Sequence, residues 1–176
     1  MKFIKTEISG VFIIEPELNL DSRGYFGRFF CKQEAIKAGI DFDIVQINKS
    51  FTQNKGTIRG FHYQNHPMWE EKIVQCTKGS IYDVVVDIRK DSPTYMKWIS
   101  FELSEENKKM VYTSKGIMNG FQSLTDGCEL LYFMSQYYSP EHGSGIRFDD
   151  PSLNVNWPIA NPILSERDKK LPFLKK

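Results

Sequence analysis

The chain has 176 residues, enough to close one hydrophobic core and too few for two of ordinary size. Its 23 basic and 22 acidic side chains leave a net charge of +1, so no global field draws it to nucleic acid or an anionic membrane, and an anionic ligand must be held locally. No stretch approaches the ~18 consecutive apolar residues of a membrane helix. The three cysteines, Cys31, Cys76 and Cys128, form no CxxC pair, and no secretory h-region follows Met1-Lys2-Phe3, so a reduced cytoplasmic protein is expected.

In chain order, strands are predicted at 11–15 (VFIIE) and 25–30 (YFGRFF), then a helix over CKQEAIKAGI (31–40). There Ala35, Ile36 and Ala38 sit among good helix formers and Gly39 can end the turn. Strands follow at 44–53, 57–64, 72–77 and 80–88, with Gly79 predicted as a hairpin turn because glycine accepts positive φ. In 80–88, Tyr82, Val84, Val86 and Ile88 share one face and Ile81, Asp83, Val85 and Asp87 the other, which is therefore solvated or lines a polar cavity. The remaining strands are 97–103, 110–113, 119–124 and 128–137, with a short helix over SEENKK capped by Ser104. Short β segments with little helix predict an all-β, antiparallel jelly-roll sandwich or barrel with a central cavity, running through residues 1–176 as one domain without repeats.

Within the strand at 57–64, GTIRGFHYQ places an arginine and one of only three histidines among apolar residues. Strict alternation sends Arg59 and His62 to opposite faces, so their sharing of one cavity requires a bulge or a twist, and Gly60 is the position expected to accept it. On these residues alone, His62 reads more readily as a satisfied structural histidine than as a catalytic one.

The segments DSRGYF (21–26), QINKS (46–50), GTIRGFHYQ (56–64), EKIVQCTKGSIYDVVVDIRKDSPTY (71–95), LSEEN (103–107), YYSPEHGSGIRFDDPSLNVNWP (137–158) and ILSERDK (163–169) change that balance. In order and spacing the chain resembles the dTDP-4-dehydrorhamnose 3,5-epimerases, cupin-like enzymes without a cofactor. The resemblance implies a nucleotide-diphosphate sugar substrate and a homodimer whose N-terminal strands enter the partner's sheet, with which VFIIE is compatible. It also implies proton removal beside a C4 ketone and reprotonation from the other face. It assigns His62 as base, Asp168 as the carboxylate orienting it, Tyr132 as the acid opposite, and Lys72 as the cation near the C4 oxygen, with Asp83 a candidate to hold Lys72. Arg23 and Arg59 suit the diphosphate. Phe26, Gln46, Asn48 and Tyr138 match positions around nucleotide and sugar.

Three positions depart from the family pattern. Asn119, in GIMNGF, stands where a second histidine is usual; an amide can hydrogen-bond the sugar but cannot serve as a base, so epimerisation at C3 or C5 alone is one expected outcome. Arg28 replaces a glutamate, and Gly143 a polar residue, in segments facing the nucleotide half. Two rival readings remain. One is a metal-dependent cupin using His62, Gln64 and His66 with Glu70 or Glu71, against which stand Asn119 at the second metal motif and Pro67 after His66. The other is a sugar-nucleotide binder without chemistry.

Overall fold

Runs of β-branched and aromatic residues broken by glycine, proline and asparagine pair into sheets because each run is too short to bury its apolar side alone. The computed structural model describes residues 1–174, so the last two lysines of the basic tail lie outside it. Its elements are β1 (Lys2–Lys5), β2 (Val11–Glu15), β3 (Leu18–Asp21), β4 (Gly24–Gly27), α1 (Lys32–Lys37), β5 (Gln46–Thr52), β6 (Ile58–Gln64) and β7 (Lys72–Lys78). They continue with β8 (Ser80–Asp87), β9 (Trp98–Ser104), β10 (Met110–Thr113), β11 (Ile117–Ser123), β12 (Cys128–Met134), β13 (Gly143–Gly145) and α2 (Glu166–Lys169). A six-stranded sheet ordered β1-β2-β10-β7-β12-β5 packs on a five-stranded sheet ordered β13-β6-β11-β8-β9, while β3 and β4 form a separate pair. Every ladder is antiparallel, and the arrangement is the expected cupin-like jelly roll.

The inner core is shared between the sheets. Val74, Val111 and Leu130 of the first meet Ile81, Val85 and Phe121 of the second. Outer faces are covered as well: Phe42, Ile40 and Ala35 pack on Ile73 and Met110, and Leu153 and Trp157 on Val84 and Val86. Burial on both faces is why residues 84–86 read as an unbroken valine run. Asp83 points inward beside Ile81 and Val85 and is fully buried, so its face is interior rather than solvated.

Four local expectations give way. Gly79 keeps a positive φ of 75°, but it joins β7 of one sheet to β8 of the other, so it is a corner between sheets and not a hairpin turn. The SEENKK segment is a turn: Ser104 Oγ accepts the Asn107 N–H at 3.0 Å as a cap would, yet the chain must re-enter the first sheet at Met110 and has no room for a helix. The strand expected at 25–30 shortens to β4, which among the described residues pairs with β3 alone. Val11–Glu15, expected to suit exchange into a partner, is already paired on both edges by β1 and β10 of its own chain. Strands β1, β3 and β13 went unread, and β13, Gly-Ser-Gly, carries no side-chain alternation to read.

Candidate active site

A cavity of about 590 Å³ opens between the sheets, within the range of small-molecule sites. β5, β7 and β12 wall it from one sheet, β6 and β11 from the other, and residues 163–168 close one side. The bulge in β6 is present. Asn119 faces His62 while Phe121 faces Arg59, so one extra residue sits in β6 at Gly60–Phe61. Gly60 has φ +130°, and a Cβ there would stand 2.5 Å from Gly120 Cα, so glycine is required twice over. The bulge brings Arg59 and His62, three positions apart, to the same cavity.

His62 Nε2 lies 2.7 Å from Asp168 Oδ1. A carboxylate only accepts, so Nε2 carries a hydrogen and Nδ1 is the nitrogen left for other chemistry. Asp168 is held by α2, whose first amides are capped at Ser165 Oγ, 3.0 Å from Asp168 N. Backbone hydrogen bonds from Ile58 N to Ile163 O and from Ile163 N to Gly56 O fix that segment along β6. Burial pushes the Asp168 carboxyl up, but the His62 hydrogen bond and charge, with the Gly60 amide, outweigh it and leave it below the usual range.

Tyr132 enters from β12 on the opposing sheet, its hydroxyl 3.2 Å from Ser50 Oγ. Burial lifts its phenol to about 12, against the Ser50 hydrogen bond, so the group stays protonated at neutral pH. Lys72 is buried at the cavity end, with Nζ 2.9 Å from Glu70 Oε1 and donating to Asn119 Oδ1 at 3.1 Å. Glu70, rather than Asp83, is its ion-pair partner, because Asn119 lies between Lys72 and Asp83.

Arg59 donates from Nε to Thr52 Oγ1 at 3.0 Å and from Nη2 to the Phe51 carbonyl at 2.9 Å, which fixes the guanidinium plane at the rim. Asn48 lines the cavity and accepts from Gln46 Nε2, whose Oε1 accepts the Tyr138 N–H at 3.2 Å; Gln46 and Tyr138 thus stand behind Asn48, outside the lining. Arg23, Phe26 and Arg28, expected around the nucleotide, lie away from the cavity. Arg23 pairs with Asp21 on the β3–β4 turn, Phe26 is 77% exposed on that pair of strands, and Arg28 pairs with Glu34 of α1.

The metal reading finds no assembled ligand set. His66 is exposed against Trp69, the Gln64 amide is spent on Met68, Tyr137 and Ser139, Glu70 holds Lys72, and Glu71 accepts from Tyr112. Among the described residues no three His, Cys, Asp or Glu side chains converge as a metal site needs. Sequence reasoning passed over Ser50 and Thr52, although Asn48, Ser50 and Thr52 share one face of β5 by simple alternation. It also passed over Arg167 and the Ser165 cap, which the S-x-x-D spacing of SERD signals. Glu70 precedes its strand and carries no pattern.

The family model for dTDP-4-dehydrorhamnose 3,5-epimerase matches residues 5–176. The enzyme of that name from Shigella flexneri is 42% identical over 96% of this chain and 93% of its own. The crystal structure of the Bacillus anthracis enzyme, with TDP and PPi bound, superposes with a TM-score of 0.96 at 39% identity over 98% of this chain and 99% of that one. The Legionella pneumophila structure in complex with dTDP-4-keto-L-rhamnose gives 0.92 at 36% identity, covering 98% and 92%. Sequence, fold and cavity agree: the chain belongs to the dTDP-4-dehydrorhamnose 3,5-epimerase family, and its enzyme class is isomerase.

Proposed function

We propose that the chain epimerises a dTDP-4-keto-6-deoxy sugar at C3, C5 or both, without a cofactor. The observation carrying this reading is the His62–Asp168 pair facing Tyr132 from the opposite sheet across one cavity. His62 Nδ1 removes the proton beside the ketone, and Asp168 stabilises the imidazolium that results. Charge then gathers on the C4 oxygen, where the Lys72 ammonium, held by the Asn119 oxygen, is the donor at hand; a well-placed donor is worth ~3 kcal/mol of barrier. Tyr132, protonated at neutral pH, returns a proton to the other face. Arg59 takes the diphosphate, since its plane is already fixed and it remains charged.

Asn119 in place of an imidazole removes a second titrating group from the cavity, which supports reaction at one carbon as a realistic outcome. A homodimer is supported by apolar surface left open among the described residues: Leu20, Tyr25 and Phe26 on the β3–β4 pair, and Ile47 and Phe51 on the edge strand β5, are all more than half exposed. In such a dimer the β3–β4 pair is free to serve the neighbouring cavity with Arg23 and Phe26. A cytoplasmic setting fits three free cysteines and a nucleotide-activated substrate. Incubation with the dTDP-4-keto-6-deoxy sugar, followed by NMR of the C3 and C5 ring protons, tests the reading; unchanged stereochemistry at both carbons after prolonged incubation overturns it.

A further inference from the structure

At the buried end of the cavity, Glu70, Lys72, Asp83 and Asn119 meet, none more than 8% exposed. Lys72 Nζ donates to Glu70 Oε1 at 2.9 Å and to Asn119 Oδ1 at 3.1 Å. An ammonium has nothing to accept with, so Asn119 presents its oxygen to Lys72 and turns its amide nitrogen the other way. There Nδ2 approaches Asp83 Oδ1 at a long 3.5 Å. Asp83 is 0% exposed, and its Oδ2 has no hydrogen-bond partner among the described residues.

Two carboxylates around one ammonium leave a surplus negative charge in the interior, which burial makes costly. Glu70 touches the ammonium and is the carboxylate whose charge is compensated. Asp83 reaches Lys72 only through a neutral amide. We propose that Asp83 is a positioning residue that works as a neutral carboxylic acid, bracing Asn119 and through it the Lys72 ammonium, and that losing this proton turns the site down. The effect on turnover rests on the epimerase reading above.

The charged and titratable groups around Asp83 are few. Lys72 faces it from β7 and Tyr132 from β12, with Cys76 of β7 acting on Tyr132; across Asn119, β6 sets His62; and β9 places apolar Phe101 opposite. Burial raises the Asp83 carboxyl to about 7, with the Asn119 amide and the Lys72 charge opposing. Ionisation would put a full negative charge beneath Lys72, weakening its pull on the keto oxygen, and the same charge pushes the Tyr132 phenol up. One proton thus governs both the oxyanion donor and the acid. An imidazole at position 119 could hold a compensating positive charge, and an amide cannot, so this dependence belongs to a chain with Asn119.

Infrared spectra of the ligand-free protein in deuterated water, one pH unit either side of neutrality, test this without substrate, so their failure is distinct from failure of the epimerase reading. The parent should show a protonated-carboxyl stretch on the acid side that is lost on the alkaline side and is absent from Asp83→Asn at both. No such band in the parent, or its survival in Asp83→Asn, overturns the proposal. Should Asp83→Asn not fold, Asn119→Ala decides: without the amide that favours the ionised form, the band must persist to higher pH, and an unmoved midpoint overturns the proposal. In turnover, the ratio of alkaline to acid rate should rise several-fold in Asp83→Asn relative to the parent; an unchanged ratio counts against the positioning role.

Discussion

The base role proposed for His62 falls to one nitrogen because the other is engaged by Asp168 at 2.7 Å, and that division of labour can be tested atom by atom. His62→Asn should slow solvent exchange at both carbons by about 10²–10⁴-fold, the usual worth of a general base. Hydrogen–deuterium exchange followed by mass spectrometry reads this directly, and normal exchange would remove His62 from the role. Tyr132→Phe should impair product formation more than proton loss, since an acid is needed only once the enolate exists; equal loss of both would point to binding instead. At this scale residue type alone left His62 a structural histidine, and its pairing with Asp168 at 2.7 Å was legible only through the order and spacing of the segments around both. The sequence was least informative for Glu70, because a glutamate outside a strand becomes an ion-pair partner only once the chain has folded round it.

β6 shows how an element serves the site. Without the bulge, Arg59 and His62 would face opposite ways, and the bulge depends on Gly60 approaching Gly120. Gly60→Ala is therefore expected to cost ~3 kcal/mol, read as a lower urea midpoint, and to lower activity further by misaligning His62. An unchanged midpoint would mean that the strand accommodates a side chain there. This bulge was legible because alternation failed at a named glycine. The Gly79 corner was not, since positive φ at a single glycine serves a hairpin and a sheet-to-sheet turn equally, and only the ladders distinguish them. Likewise, Ser104 has the chemistry of a helix cap, and the demands of the next strand overrode it.

Two buried carboxylates shape the stability of the whole molecule in opposite senses. Burial opposes ionisation of Asp87, but Arg89, Ser92 and Thr94 outweigh it and hold the carboxyl at about 2. With the folded pKa depressed, this contribution of about 2 kcal/mol is present above pH ~4 and lost as pH falls toward 2. Asp83 has a raised pKa of about 7, so the folded state is favoured while the proton stays on and loses stability as pH rises from ~4 through 7. Thermal melts should therefore show Asp87→Asn less stable at neutral pH with a flatter acid limb, and Asp83→Asn gaining most above neutrality. Identical pH dependence in parent and variants would contradict both assignments. The proposed homodimer makes a further demand: mixing His62→Asn with Arg23→Ala should restore activity, since a heterodimer then holds one cavity with an intact His62 and an intact neighbouring Arg23. No recovery would return Arg23 to its own chain's account. Sheet order and the use of the β3–β4 pair were not readable in the chain, because both depend on surfaces that exist only after folding.

Proton exchange beside a ketone within this cavity is tested most directly by incubating the protein with the dTDP-4-keto-6-deoxy sugar in deuterated water. Deuterium at C3, C5 or both, abolished by His62→Asn, is the expected result. No deuterium at either carbon, or full labelling by His62→Asn, would contradict it.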